Sequence, residues 1–159
     1  MDTDGLFAEA NLLYGEDWVP LDDDGKNASF QTHTSYADEE RYHVFAHPFD
    51  FHFKVNGPQG WPRLQVKLWR LDSSGRQDNI AYGIVTLPNK PGYHAIEMHC
   101  WRPMSTWQEE AYNFFLGAPS KMYDGNIVTK NVDQRKYLTT IASGTINIHC
   151  ECLLKNFDA

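Results

Sequence analysis

Apolar and polar residues alternate with a period of two along most of this chain. The clearest early example is segment 49–55, where Phe49, Phe51, Phe53 and Val55 are separated by polar residues. This period is typical of half-buried β-strands, whose successive side chains point to opposite faces. The same pattern recurs in segments 64–69, 94–101 and 144–154, and 6–14, 29–34 and 41–45 are weaker candidates. Segment 136–143 is short and rich in β-branched residues, which also favours a strand. Segment 79–88 is apolar in both phases, which predicts a strand covered on both faces.

Turn-forming residues separate these segments. Gly, Pro, Asn and Asp, whose backbone preferences suit turns, recur about every ten residues. They are concentrated in "NGPQG" (56–60), "DSSGR" (72–76), "NKPG" (89–92), "SKMYDGN" (120–126) and "ASG" (142–144). Short strands with this spacing indicate an antiparallel β-sandwich or barrel.

Segment 105–117 departs from the strand pattern. Thr106 and Glu109 form a capping box, and apolar residues follow at helical spacing. Gly117 suits the residue after a helix, and Pro119 prevents its continuation. The sequence therefore predicts one short helix between strands, with its aromatic face packed on the sandwich.

Size and charge limit the possible functions. A chain of 159 residues fits one domain, and 42% apolar with 22% charged residues is ordinary for a globular protein. The formal net charge of −7 argues against a nucleic-acid partner. The acidic first residues lack the basic region of a secretory signal, and no run of 18 apolar residues occurs. We therefore expect a cytoplasmic or peripheral protein.

No pattern of residues indicates catalysis or a bound cofactor. The seven histidines are scattered singly, and no nucleophile elbow, P-loop or dinucleotide-binding motif occurs. Cys150 and Cys152 share one face of a predicted strand, while His149 points to the other and no second ligand pair has zinc spacing. The three cysteines are therefore interpreted as buried thiols of a reducing compartment. We predict no catalytic residue, no metal and no cofactor.

The acidic segment "LDDDG" (21–25) resembles the start of a calcium loop. Counted from its first Asp, however, the fifth position is Lys26 and the closing position is His33, so the EF-hand ligand set fails. A calcium site that combines this segment with Asp72 and Asp78 from another loop is the remaining alternative.

Tryptophans suggest a binding surface. Trp61, Trp69, Trp101 and Trp107 could stack on a sugar or a peptide, or they could be part of the framework. Trp69 and Trp101 fall out of phase with the apolar residues of their strands, so we expect both on the outward face.

A cluster of cations motivates a second interpretation, a peripheral lipid-binding module that does not need calcium. Lys54, Arg63, Lys67 and Arg70 lie close together in sequence. Lys54 and Lys67 are expected on the outward phases of two neighbouring strands, which would form one basic face.

Several short motifs, in a fixed order, resemble those of the B9-domain family of ciliary proteins. They are "HPFDFHF" (47–53), "GWPRL" (60–64), "DSSGR" (72–76), "YG" (82–83), "LPNKPGYH" (87–94), "WRP" (101–103), "GT" (144–145) and "LLKNFD" (153–158). The resemblance covers about residues 5–158. It implies a single C2-like antiparallel β-sandwich domain over 1–159, whose loops lack a full calcium-ligand set.

The resemblance also implies a function. Members of this family are non-enzymatic subunits of the Meckel-syndrome-type complex at the ciliary transition zone and basal body. There they associate with other B9-domain proteins and help to control the entry of membrane proteins into the cilium. Members usually begin with an apolar strand ahead of the segment that matches Gly5-Leu6-Phe7. That strand is expected to be missing here, and the edge left open is expected to be covered by a partner subunit or a loop.

The expected contact surface consists of aromatic and basic side chains, the residue types that anchor protein interfaces. The candidates are Trp61, Arg63, Lys67, Trp69, Arg76, Trp101, Arg102 and Phe157.

Overall fold

The computed structural model describes residues 4–21, 29–103 and 140–155, and within these ranges the regular structure is entirely β. The strands are β1 (Gly5–Leu13), β2 (Trp18–Pro20), β3 (Ser29–Gln31), β4 (Ser35–Tyr36), β5 (Phe53–Val55), β6 (Arg63–Leu71), β7 (Gln77–Thr86), β8 (Gly92–Pro103) and β9 (Thr140–Cys152). Every pairing is antiparallel. The predicted all-β class, consistent with a C2-like sandwich, is confirmed. The helix predicted at 105–117 lies outside the described residues.

Most strands belong to one large sheet with the order β3-β1-β6-β7-β8-β9, in which β4 also pairs with β1. The strands β2 and β5 form a separate two-stranded sheet. The register of the large sheet places Ala10 opposite Val66, Val66 opposite Gly83, and Gly83 opposite Cys100. These four small or apolar residues form one continuous row on the inner face of the sheet.

The hydrophobic core lies on this inner face. Its buried members come from five strands of the large sheet: Ala8, Ala10, Leu12, Leu64, Val66, Ala81, Met98, Cys100 and Ile148. Aromatic residues from outside these strands pack against it, among them Tyr14, Phe30 and Phe49. Burial of apolar surface at about 25 cal/mol per Å² is the main force that holds these layers together.

The aromatic segment 49–55 is a strand only at its end. Phe49 and Phe51 pack on the core, and Phe49 stacks on Phe30 at 5.6 Å, but the ladder of β5 covers only Phe53–Val55. The weaker candidate 41–45 forms no strand either. In segment 49–55 the ladder stops at Phe53, because its partner β2 is only three residues long.

The segments 136–143 and 144–154 were predicted as two strands separated by an "ASG" turn, and this prediction is wrong where the chain is described. Residues 140–152 form the single strand β9. Gly144 lies opposite Cys100 and Ala142 lies opposite Trp101, so Ser143 is an extra residue in a β-bulge. Gly144 has φ 129°, which favours glycine. The residues that suggested a turn therefore bend one strand.

The strand β1 has partners on both sides within this chain. On one side it pairs with β6 along its whole length. On the other side β4 pairs with Gly5 and Leu6, and β3 pairs with residues 9–11. Between them, Ala8 N–H donates to Thr32 Oγ1 at 3.0 Å, and Thr32 N–H donates to Ala8 O at 2.9 Å. An open edge was expected next to the start of β1. In the structure this side of β1 is covered by β3, β4 and Thr32 of the loop between them.

Candidate partner-binding surface

The face of the large sheet opposite the core, called the outer face here, carries the main cluster of predicted contact residues. The register places Glu9 opposite Lys67, Lys67 opposite Tyr82, and Tyr82 opposite Trp101. These four side chains form a row across β1, β6, β7 and β8. Since residues i and i+2 of a strand share a face, Trp69 joins this row from β6. The prediction that Trp69 and Trp101 lie on the outward face is confirmed.

Glu9 holds the β6 side of this surface in place. Its Oε2 accepts a hydrogen bond from Trp69 Nε1 at 3.2 Å, and its Oε1 lies 3.9 Å from Lys67 Nζ. The Trp69 ring stacks on Phe7, with centroids 6.2 Å apart and planes inclined by 7°. The Lys67 side chain is 27% exposed and that of Glu9 is 37% exposed, so their ion pair adds about 1 kcal/mol or less. It orients the two side chains more than it stabilises the fold.

Trp101 completes the outer face on the β8 side. Its ring stacks on Tyr82 at 5.4 Å with an interplanar angle of 26°. Tyr82 is buried and Trp101 is half-buried, while the following residue, Arg102, is exposed. The structure therefore brings Lys67, Trp69 and Trp101 together on one surface.

Trp61 is part of the framework. Its ring meets Trp18 edge to face at 4.7 Å, and its Nε1 donates to Leu87 O at 3.0 Å. The preceding turn brings Gly60 against Gly15, where Gly15 N–H donates to Gly60 O at 2.8 Å. A Cβ on Gly60 would lie 2.3 Å from Gly15 Cα, and Gly60 also has φ +70°. Both features require glycine at this position.

Arg76 is held by a buried carboxylate. Its Nε and Nη2 donate to Asp78 at 3.1–3.3 Å, and Arg70 Nη2 donates to the same carboxylate at 3.4 Å. Burial raises the pKa of Asp78, but the hydrogen bonds and charges of Arg76 and Arg70 outweigh this effect and lower its pKa below the ordinary value. Arg76 therefore stabilises the β6–β7 hairpin. As a contact residue it stays a prediction.

The alternative calcium site loses two of its ligands in the structure. Asp72 Oδ1 accepts the backbone N–H groups of Ser74 and Arg76 at 2.9 and 2.8 Å, which closes the "DSSGR" turn. Asp78 is engaged by two arginines. Asp72 Oδ1 is thus engaged by the turn and Asp78 by the guanidinium groups, while the segment 22–24 lies outside the described residues.

The predicted basic face is wrong in its geometry. Lys54 belongs to β5, which pairs with β2 in the small sheet, whereas Lys67 lies in β6 between β1 and β7. The two lysines are therefore not on neighbouring strands. Lys67 faces Glu9, and Arg70 faces Asp4 and Asp78. Arg63 is half-buried at the first position of β6, and Phe157 lies outside the described residues.

Three residues of the outer face were missed by the sequence analysis: Phe7, Glu9 and Tyr82. Glu9 is the one charged residue of β1, and this could have marked it as the polar member of an outward phase. Phe7 and Ala8 are adjacent and both buried, so β1 is covered on both faces and lacks a clean alternation. The sequence analysis predicted that the strand of Tyr82 is covered on both faces, and this is confirmed. The pairing of Tyr82 with Trp101 was not predicted, because Trp101 lies on a different strand.

The described residues thus form a C2-like, antiparallel β-sandwich with partnered aromatic and charged side chains on one outer face. The chain belongs to the B9 family: residues 1–153 match the family described as "Ciliary basal body-associated, B9 protein". The resemblance seen in the sequence motifs is confirmed. The description of the family associates its members with the ciliary basal body.

Relatives with known names agree with this assignment. The chain is 37% identical to human B9 domain-containing protein 2 over 114 residues, which are 72% of this chain and 65% of the relative. It is 30% identical to the Xenopus laevis protein of the same name over 96% of this chain and 85% of the relative. Identity to B9 domain-containing protein 1 of Xenopus laevis is 24%, over 96% of this chain and 77% of the relative. The aligned part spans just under two thirds of the human relative.

No solved structure matches the chain. Among the described residues, no helix is long and apolar enough to cross a membrane.

Proposed function

We propose that this chain is a non-enzymatic structural subunit of a B9-domain complex at the transition zone of the cilium. It binds other B9-domain proteins there, and the complex supports cilium assembly and the gating of membrane proteins. The observation that carries the proposal is the family match over residues 1–153.

The outer face supports a role in protein binding. Trp69, Lys67 and Trp101 are half-buried and held in fixed orientations by Glu9 and Tyr82. Aromatic residues are enriched at interfaces, and fixed orientations reduce the entropy lost on binding. A partner that covers this face would complete the burial of the two indoles.

Proximity labelling and co-purification from ciliated cells test the proposal. The tagged chain is expected to recover other B9-domain proteins, and cells that lack it are expected to form fewer cilia or to admit excluded membrane proteins. Recovery of no other B9-domain protein would refute the proposal.

Point variants test the outer face separately. Trp101→Ala is expected to weaken binding to a B9-domain partner by about 2 kcal/mol or more, or roughly thirtyfold in Kd. Tyr42→Ala is the matched control, since Tyr42 is exposed and lies in the loop between β4 and β5, outside the strands that form the outer face. Circular dichroism and thermal unfolding verify that both variants are folded. Equal affinities of the two folded variants would remove the outer face from the interface.

A further inference from the structure

The last strand, β9, is an edge of the large sheet. It pairs with β8 on one side, from Thr140 to Cys152, and no strand in the described part of the chain pairs with its other side. Residues 140–145 are all exposed, and from Ile146 onward exposed and more buried residues alternate. A free strand edge presents unpaired N–H and C=O groups to the solvent.

Within the described part of the chain, this edge lacks the features that usually prevent pairing with another chain. Natural edges are shortened, bulged or marked with lysine and proline. The opposite end of the sheet is protected in this way, because β3 and β4 have three and two residues. By contrast, β9 has 13 residues and contains no Lys, Arg or Pro. Its bulge lies at Ser143, so the eight residues Thr145–Cys152 form an uninterrupted edge.

The side chains of this edge define the strand that fits it. Ile146 and Ile148 continue the inner face, and Ile148 is part of the core. Asn147, His149 and Glu151 are exposed on the other face. An added strand must therefore be apolar at alternate positions on the inner side. On the outer side, a Lys or Arg beside Glu151, which is the one charged residue of β9, would form a favourable cross-strand pair.

The charge of the chain selects between two possible occupants. A second copy would bring together two chains of formal net charge −7 and would offer no cation from its own β9. Alignment with B9 domain-containing protein 1 over 96% of this chain, at 24% identity, shows that the family contains a second kind of member with a different sequence. A sandwich of that kind is the favoured occupant, because the repulsion between two identical chains of net charge −7 is not inherent in a pair of different chains.

We propose that Thr145–Cys152 binds an edge strand of another B9-type sandwich and so extends the large sheet across the interface. Alternate residues of this segment supply about eight backbone N–H and C=O groups in all. One added strand buries less than the roughly 1,600 Å² of a standard interface, so the partner must also contact neighbouring side chains. Tyr93 is one such side chain, because it is 69% exposed and stacks on His149 of the edge strand. The inference rests on the proposed function.

Amide hydrogen exchange measured by NMR tests strand addition directly. The chain is measured alone and in complex with B9 domain-containing protein 1 of Xenopus laevis. Alternate amides of Thr145–Cys152 point away from β8 and are expected to exchange fast in the free chain. They are expected to lose this fast exchange in the complex. The intervening amides are already bonded to β8 and are expected to change little.

A charge-reversed pair of variants tests the side-chain contact. Glu151→Lys is expected to weaken binding about three- to tenfold, because it places a cation beside the partner's cation. Glu39→Lys is the matched control. Glu39 is also exposed, but it lies in the turn that follows β4, at the end of the large sheet opposite to β9. Both substitutions replace exposed side chains, so both variants are expected to keep the stability of the parent.

The outcomes separate this inference from the proposed function. Binding without alternate protection in β9, or with protection along β3 or β4, overturns the inference and leaves the proposed function intact. Alternate protection that appears in the chain alone as its concentration rises assigns the edge to self-pairing and also overturns it. Absence of binding to this B9 partner overturns the inference, and the proposed function falls with it only if no other B9-domain protein is recovered from ciliated cells either. Alternate protection in the complex, with weaker binding of Glu151→Lys than of Glu39→Lys, confirms the inference.

Discussion

Replacing Asp78 by Asn tests how much the buried carboxylate contributes to folding. The Asp78 side chain is 5% exposed and accepts hydrogen bonds from Arg76 and Arg70. The substitution keeps the shape of the side chain but removes its charge. Arg76 then loses the carboxylate that holds it in the β6–β7 hairpin, while Arg70 keeps Asp4, whose Oδ2 lies 3.8 Å from its Nε. An amide group replaces an acceptor that had served both arginines.

The magnitude follows from the exposure of the partners. Hydrogen bonds to charged groups contribute about 1.5–3 kcal/mol each when buried. The Arg70 and Arg76 side chains are 45% and 49% exposed, so water can solvate them once the carboxylate is gone. We therefore expect Asp78→Asn to lower the free energy of unfolding by about 2 kcal/mol. For a domain of this size, this corresponds to a decrease in Tm of about 4–8 °C.

The dependence on pH provides a second, independent signature. The pKa of Asp78 in the folded chain lies below its ordinary value, so the folded state favours the charged carboxylate. The stabilisation is therefore fully present above about pH 4, the usual pKa of an Asp in an unfolded chain, and is lost as the pH falls through the lower folded-state pKa. The difference in stability between parent and Asp78→Asn is expected to be constant from pH 7 to about pH 5 and to shrink below pH 4.

Urea unfolding followed by tryptophan fluorescence measures this difference across the pH range. Asp50→Asn is the matched control, because Asp50 is 82% exposed and its imidazole partner, His52, lies 3.8 Å away. The control is expected to change stability by less than about 0.5 kcal/mol. The reasoning is refuted if Asp78→Asn behaves like the control at pH 7, or if its effect does not decrease below pH 4.

Three further predictions concern glycine positions and a buried thiol. Gly75→Ala is expected to cost about 1 kcal/mol, since Gly75 has φ +80° with open space around it, whereas Gly60→Ala is expected to cost roughly 3–5 kcal/mol because of its backbone contact. Equal Tm values for the two variants would contradict this. Gly83→Ala is expected to cost about 1–3 kcal/mol, because the new Cβ would lie 2.9 Å from Met98 Sδ, and a smaller cost in a Met98→Ala background verifies the contact. Burial raises the pKa of the Cys100 thiol to about 11, so iodoacetamide at pH 8 is expected to modify Cys100 only after unfolding. Mass spectrometry that finds Cys100 labelled as fast as Cys152 in the native chain would contradict this.

Alternation within a strand was enough to assign faces from the sequence. The outward positions of Trp69 and Trp101 and the inward positions of Leu64, Val66 and Met98 follow from a period of two alone. This period is a property of the extended backbone and needs no knowledge of neighbouring strands. The all-β class and the family motifs were accessible for the same reason, because each is carried by a short, contiguous segment.

The order of the strands was decided by the tertiary structure. Lys54 and Lys67 have the same phase in two successive segments, but hydrogen bonding places their strands in different sheets. Segment 6–14 is weakly patterned because a strand buried on both faces shows little alternation. In the structure it forms β1, which lies between β6 on one side and β3 and β4 on the other. Pairing depends on contacts between distant residues, and the sequence around any one strand does not specify its partner.

The roles of individual polar and aromatic residues were also decided by long-range contacts. Trp61 and Trp69 are only eight residues apart, yet one packs on Trp18 in the framework and the other is oriented by Glu9 on the outer face. The sequence determined that this chain forms strands with two distinct faces. Only the folded structure determined which side chains meet across them, because strand register brings together residues that are dozens of positions apart.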